Sequence, residues 1–246
     1  MKARLPQLVL VLACLVGGCG TMHTPVVNSR QSSSTAIATD EAVSIVLNRY
    51  RQCEDNRNED CWVDSSSASK ERDFDGCVSK YLLKERPKLR ILPAEEFRRV
   101  AFPDKEFLAS PRSPEAIIEL LSDAEFKRRV DSVHVRYLVV LDMETRNTAK
   151  DWDFDTAKGM ASAVDRHWIR ESRLKATVID MGHALQVGVA NAEVSGNAGY
   201  VVPFILIIPL PPIPYFSATE SRACAELGQE LGQKFFTTPD AAQAPK

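Results

Sequence analysis

The chain has 246 residues, of which 44% are hydrophobic and 26% charged, with a formal net charge of -2 at pH 7. That apolar share is enough for a real core in one large domain or at most two small ones. A balance so close to neutral carries no polyanion signal, which argues against a nucleic-acid partner.

The N-terminus reads MKARLPQLVLVLACLVGGCG, with Lys2 and Arg4 before an apolar run from Leu8 to Val16. Crossing a bilayer takes about 20 apolar residues, and this run stops short at two glycines, so residues 1–18 read as a cleaved signal peptide. Val16-Gly17-Gly18-Cys19 resembles the lipobox of bacterial lipoproteins, in which small residues fit the signal peptidase and the thiol receives a diacylglyceryl group. The resemblance implies that Cys19 is lipidated with several acyl chains such as palmitate. One buried chain holds weakly at about 0.8 kcal/mol per methylene, and several hold firmly. Gly20 stands where inner-membrane lipoproteins usually carry aspartate, which implies the periplasmic face of the outer membrane. The bland alternative is an ordinary secretory signal in which Cys19 is one more thiol.

Residues 19–39 are Ser/Thr-rich and almost uncharged, and read as a flexible tether. A domain is expected over 40–238, with 239–246 a frayed tail. The segment DEAVSIVLNRYRQC has Val43, Val46, Leu47 and Tyr50 at helical spacing, with Thr39 or Asp40 available as a cap, and predicts a first helix. The polar stretch from Glu54 to Asp73 predicts a loop, and Phe74 to Lys84 a second helix. Apart from Cys14 and Cys19, the cysteines stand at 53, 61, 77 and 224, an even set in a chain sent to an oxidising compartment. Of the three pairings, Cys53 with Cys61 and Cys77 with Cys224 are favoured. On loop length these bridges contribute about 2.6 and about 5 kcal/mol. A zinc site fits poorly, because no C-x(2 to 4)-C pair exists.

Residues 89–92 (LRIL) predict a short buried strand, and Pro93 with Glu95 and Glu96 a helix start. Ser113-Pro114-Glu115 opens a helix to Leu121, and Ser122 to Glu125 reads as a capping box for another ending near Asp131. VRYLVVLDM at 135–143 predicts a strand covered on both faces, parallel to the first. A charged loop is expected at 144–167, followed by a hairpin of SRLKATVIDM and ALQVGVANAEV about Gly182-His183. Ser217 to Glu220 reads as a capping box for a last helix with Ala223, Leu227, Leu231 and Phe235 on one stripe. The fold class is therefore α/β, or α+β: one domain of three layers, its small mixed sheet a parallel pair plus an antiparallel hairpin, packed by helices.

This order of elements, with LRILPAEEF, VRYLVVLD and LKATVIDMGHALQVGV, resembles a periplasmic superfamily. Its members include the N-terminal domain of the Tol translocation protein, the curli secretion lipoprotein and the lipoprotein activators of penicillin-binding proteins. The resemblance spans about residues 75–236. It implies a domain that docks onto partners or oligomerises, and it places no functional residue.

The most unusual segment runs from Gly199 to Ser217. It is nearly all apolar yet dense in proline, including Pro203, Phe204, Ile207, Ile208, Pro209, Leu210, Pro211, Pro212, Ile213, Pro214, Tyr215 and Phe216. Such proline density excludes a helix and a central strand. The segment either packs across its own domain or contacts a partner or lipid surface, as exposed apolar patches often do. Asp151-Trp-Asp153-Phe-Asp155 starts like a calcium loop, but Thr156 and Ser162 stand where glycine and glutamate are needed. His167 and Glu171 could share a helix face without forming H-E-x-x-H, and Ser195 to Gly199 is not a nucleophile elbow.

No cofactor is implied and no catalytic constellation stands out. The first expectation is a nonenzymatic outer-membrane lipoprotein that docks onto or assembles an envelope complex, through an unidentified partner or self-association. The alternatives are a periplasmic hydrolase with a cryptic site around His134, Asp142, Asp180 and His183, or a carrier of lipid or another small molecule using the Pro-rich segment.

Overall fold

The computed structural model describes residues 25–31, 41–55, 61–63, 68–103, 113–155, 161–205, 208–209, 211–215 and 217–236. Strand β2 (Ala42–Asp55) lies parallel to β5 (Val135–Asp155) on one side, and on the other to the short β4 (Arg90–Leu92). Strand β3 (Cys61–Val63) folds back antiparallel on the far end of β2. Antiparallel β6 (Ala161–Asp180) and β7 (Leu185–Ile205) follow β5, and β1 (Val26–Gln31) closes the opposite edge against β7. The result is one mixed, open sheet in the order β1-β7-β6-β5-β2-β3, an α+β arrangement.

The first element is thus a strand, not the helix that the spacing predicts. Ala42 to Leu47 are all buried, because helices cover both faces of the sheet there. Val43, Ile45 and Leu47 point to one core with the alternation of a strand, but a bulge between Leu47 and Arg49 inserts a residue and returns Tyr50 to that same core. Alternation plus one inserted residue produces the spacing of three that imitates a helix. The expected cap at Thr39 or Asp40 lies outside the described residues.

At that bulge β2 has no strand on its outer side among the described residues, since β4 pairs with residues 42–44 and β3 with 51–53. Two charged side chains stand in for one. Helix α1 (Ala68–Glu85) supplies Glu71, and α2 (Ala94–Ala101) supplies Arg98. The Leu47 N–H donates to Glu71 Oε1 at 2.9 Å, and the Leu47 carbonyl accepts from Arg98 Nη2 at 3.1 Å. Arg98 Nη2 also donates to Glu71 Oε1 at 2.7 Å, with both residues buried. One turn along α1, Asp75 accepts from the Ala94 N–H and so caps α2, whose own cap position is Pro93. Burial raises the Asp75 carboxyl above its usual range, against the hydrogen bonds from Ala94 and Ser79.

Helices α2, α3 (Pro114–Leu120) and α4 (Ala124–Ser132) pack Phe97, Ile117, Phe126 and Val130 against one sheet face. Ser113 caps α3 as expected. For α4 the cap is Asp123, which accepts from the Glu125 and Phe126 N–H groups. The expected Ser122 instead donates to the Glu119 carbonyl, and Glu125 pairs with Arg129. The opposite face carries α1 and α5 (Thr219–Glu230), which continues as a wider π turn, Leu231–Phe235. Ala223, Leu227, Leu231 and Phe235 are all buried on that stripe. The expected Ser217 box is absent: α5 starts at Ala218 without a side-chain cap, and Glu220 turns to the sheet. There its Oε1 accepts from Arg170, Thr145 and Tyr50, which fixes the start of the helix to three strands.

The predicted loop at 144–167 is strand to Asp155 and again from Ala161. Leu141, Met143 and Thr145 are buried while Asp142, Glu144 and Arg146 are not, so the period of two is present. The polar residues of the wet face, with Thr145 on the dry one, hid it. Part of the predicted tether is also ordered, because Val26–Gln31 forms β1 with Val27 and Ser29 inward and Val26, Asn28 and Arg30 exposed. The hairpin is where it was expected, though the positive φ, 51°, falls on Ala184 and not on Gly182. Gly182 is small for another reason: a Cβ there would collide with the Arg136 guanidinium.

Three substitutions test the packing. Arg98→Ala leaves Glu71 buried and unpaired, and should lower the unfolding free energy in urea by about 3–5 kcal/mol. A Cβ at Gly228 would stand 2.8 Å from the Val78 carbonyl oxygen of α1, so Gly228→Ala should cost about 1–3 kcal/mol. Gly76→Ala, with open space around the same atom, should be neutral or stabilising by up to about 1 kcal/mol.

Candidate functional site

Cys53 is bonded to Cys61 and Cys77 to Cys224. The first bond joins paired positions of β2 and β3. The second ties α1 to α5 beside the close approach of Gly228 to the α1 backbone and of Gly232 to the Glu85 side chain. Cys19, the signal segment 1–18 and the tail 239–246 lie outside the described residues.

The Pro-rich segment divides into backbone additions to the outer side of β7. Pro203 and Phe204 are in β7 itself, Ile208 and Pro209 form β8, and Ile213, Pro214 and Tyr215 form β9. Strand β8 pairs with Phe204 and Ile205, and β9 with Gly199 to Val201. Pro211, Pro212 and Pro214 are exposed, with Ile213 and Tyr215 half-buried. Ile207, Leu210 and Phe216 lie outside the described residues. Pro209 and Pro214 are tolerated because β8 and β9 sit at a sheet edge, where a missing N–H breaks no second ladder. Pro203 corrects the expectation that the segment holds no central strand: it lies in β7, paired with Ala163 of β6, at a position between the residues that pair with β9 and those that pair with β8.

Of the four polar residues considered for hydrolysis, only two meet. Buried Asp180 accepts from the Gly182 and His183 N–H groups and from Arg136 Nη2, and its Oδ2 lies 2.8 Å from His183 Nδ1. Arg136 Nη2 also lies 3.1 Å from that nitrogen, which cannot both donate to Asp180 and accept from Arg136. Donation to the carboxylate satisfies all three groups, so the cluster is a brace for the hairpin turn. His134 is exposed, with φ 56° at the entry to β5. Asp142 lies five residues further along β5 than Tyr137, the register partner of Asp180, or about 16 Å away. It accepts from Asn48 Nδ2 at 2.7 Å and faces Arg49.

Asp142 borders an open groove of about 520 Å³, where α3 begins and meets the wet sheet face. Arg49, Lys175, Thr177, Gln186 and Glu115 complete its polar wall. The groove pairs cationic with anionic side chains around an engaged carboxylate, which suits a small polar guest better than acid-base chemistry. Of these residues the sequence singles out only Asp142; Lys175 and Thr177 fall in the predicted hairpin, and Asn48 and Arg49 in the segment read as a helix. His167 and Glu171 are both in β6, about 13 Å apart, and not on a helix. Asp151–Asp155 and Ser195–Gly199 are likewise strand. Among the described residues no cluster of His, Cys, Asp and Glu could hold a metal ion, and no helix is long and apolar enough to cross a membrane.

No family model matches the chain, and no curated protein does. Among solved structures, the chain is similar to the PelC dodecamer from Paraburkholderia phytofirmans at 12% identity and a TM-score of 0.32, covering 83% of this chain and 96% of that one. A neuraminyllactose-binding hemagglutinin homolog from Helicobacter pylori is similar at 8% identity and a TM-score of 0.28, covering 85% and 88%. Lipoprotein GNA1162 from Neisseria meningitidis follows at 11% identity and a TM-score of 0.23, covering 67% and 83%. At these scores the likeness carries no statement about the role of this chain.

The turn brace is tested by substitution. Asp180→Ala removes the acceptor for two backbone N–H groups and a guanidinium, and should cost about 2–3 kcal/mol in denaturant unfolding. His183→Ala, at an exposed side chain, should cost less than about 1 kcal/mol.

Proposed function

We propose that the chain is a periplasmic lipoprotein, acylated on Cys19 and held at the outer membrane, that serves as a docking or assembly component of an envelope complex. The observation that carries this reading is the pair of disulfides, one of which binds the first long helix to the last. Bonds of this kind persist in an oxidising compartment, which agrees with an exported chain bearing VGGC at the end of a signal segment. The docking role is supported by an edge that carries exposed prolines beside half-buried Ile213 and Tyr215.

A hydrolase around His134, Asp142, Asp180 and His183 is disfavoured, because only Asp180 and His183 share a contact. The carrier reading, made for the Pro-rich segment, gains no support from the 520 Å³ groove, whose wall is polar where an acyl chain needs an apolar one.

The test is fractionation and crosslinking in whole cells. Cys19→Ser should move the protein out of the outer-membrane fraction. In cells making the parent chain, crosslinking should capture envelope proteins, and Ile213→Asp should deplete them by several-fold while leaving the protein level unchanged. An outer-membrane fraction undiminished by Cys19→Ser would end the anchoring reading.

A further inference from the structure

The groove at the start of α3 holds two charges and a hydroxyl that the fold does not use. Its floor is the wet sheet face, where Arg49, Asp142 and Lys175 are successive register partners across β2, β5 and β6. Thr177 stands two residues along β6 on the same face, and Glu115, in the first turn of α3, borders the groove from the helix side. Asn48 and Arg49 already engage the Asp142 carboxylate, at 2.7 and 3.7 Å. Among the described residues, Lys175 and Glu115 have no ion-pair partner, and the Thr177 hydroxyl has no hydrogen bond. Thr177 is only 3% exposed. A hydroxyl withdrawn from water without a partner costs free energy, so a guest that bonds to it gains what the fold leaves unmet.

The signs of these groups select the guest. Arg49 and Lys175 bring two positive charges to the groove, and Asp142 and Glu115 two negative ones. A guest with a net charge of either sign therefore meets as much repulsion as attraction, whereas a neutral guest with separated charges gains at both ends. Pro114 and half-buried Val189 add apolar surface to the same groove. Taken as a compact space, 520 Å³ is about 10 Å across, which is the span of about three residues of extended chain.

We propose that this groove binds short peptides with free termini, two or three residues long. The C-terminal carboxylate pairs with Lys175, the N-terminal ammonium with Glu115, and a main-chain carbonyl accepts from the Thr177 hydroxyl. Small apolar side chains lie against Pro114 and Val189. The site requires neither the acylation of Cys19 nor the edge at β9, since its residues come from α3 and from other parts of the sheet.

The experiment is equilibrium dialysis of the full chain, purified in detergent, against radiolabelled trialanine at low ionic strength. Binding should saturate at one peptide per chain. N-acetyl-trialanine lacks the ammonium and trialanine amide lacks the carboxylate, and each should displace the label about three-fold or more weakly than trialanine itself. Glu115→Gln should weaken trialanine by the factor that acetylation costs and leave N-acetyl-trialanine unaffected. Lys175→Met should act in the same way toward the amide. Both side chains are exposed, so neither change endangers the fold. Thr177→Val, which keeps the shape and removes the hydroxyl, should weaken all three peptides. The blocked peptides probe the two charges without altering the protein. Absence of saturable binding to the parent chain overturns the proposal, as do blocked peptides that bind as tightly as the free one. So does a Glu115→Gln chain that still discriminates against the acetylated peptide.

Discussion

The Glu71–Arg98 pair is the joint through which the rest of the molecule is assembled. A strand in the middle of a sheet normally satisfies its backbone on both sides, but β2 is bulged and its outer neighbours are short. The unsatisfied Leu47 amide and carbonyl would each cost free energy in a dry interior. A carboxylate and a guanidinium can serve both, because one accepts and the other donates, and each neutralises the charge that the other brings into the core. Since they arrive from different helices, the pair also sets the angle between α1 and α2, and Asp75 repeats the device one turn later.

The same logic places the apolar edge. Strand β7 is long enough to hold β1 at one end and β8 and β9 at the other, all on its outer side. The backbone groups of that side are therefore met by segments that need not belong to the core. This frees their sequences to be polar in β1 and apolar and proline-rich in β9, since neither has to fill an interior. A stiff sheet thus displays two chemically different borders with a fixed spacing between them.

Much of this was legible in the residues. Short elements flagged by a chemical signal emerged as expected: the Ser113 cap, the strand before Pro93, the hairpin at Gly182, the buried stripe on the last helix. The misreadings share a cause. Period analysis assumes an unbroken strand, and the bulge at Leu47 shifted Tyr50 into the helical register of Val43 and Leu47. In β5 the dry face carries Thr145 where the alternation calls for an apolar residue, so burial by hydroxyl networks to Ser172 and Glu220 went unseen. Glu71 and Arg98 gave no local sign at all, for their partner is a backbone segment more than twenty residues away. The candidate edge was visible as composition, whereas its attachment to β7 depends on pairings that composition does not encode.

The separations of the two sulfur bridges, 8 and 147 residues, have a consequence for how the thiols find one another. Chance encounter of loop ends falls as the three-halves power of their spacing, so Cys53 meets Cys61 about 80 times more readily than Cys77 meets Cys224. Early closure of the small ring removes the two competitors for Cys77 and reduces three connectivities to one. The distant partner can then arrive last; the nearest wrong match, Cys61 with Cys77, forms only about 3-fold less readily than the small ring on the same scaling, so the order is a bias and not a safeguard.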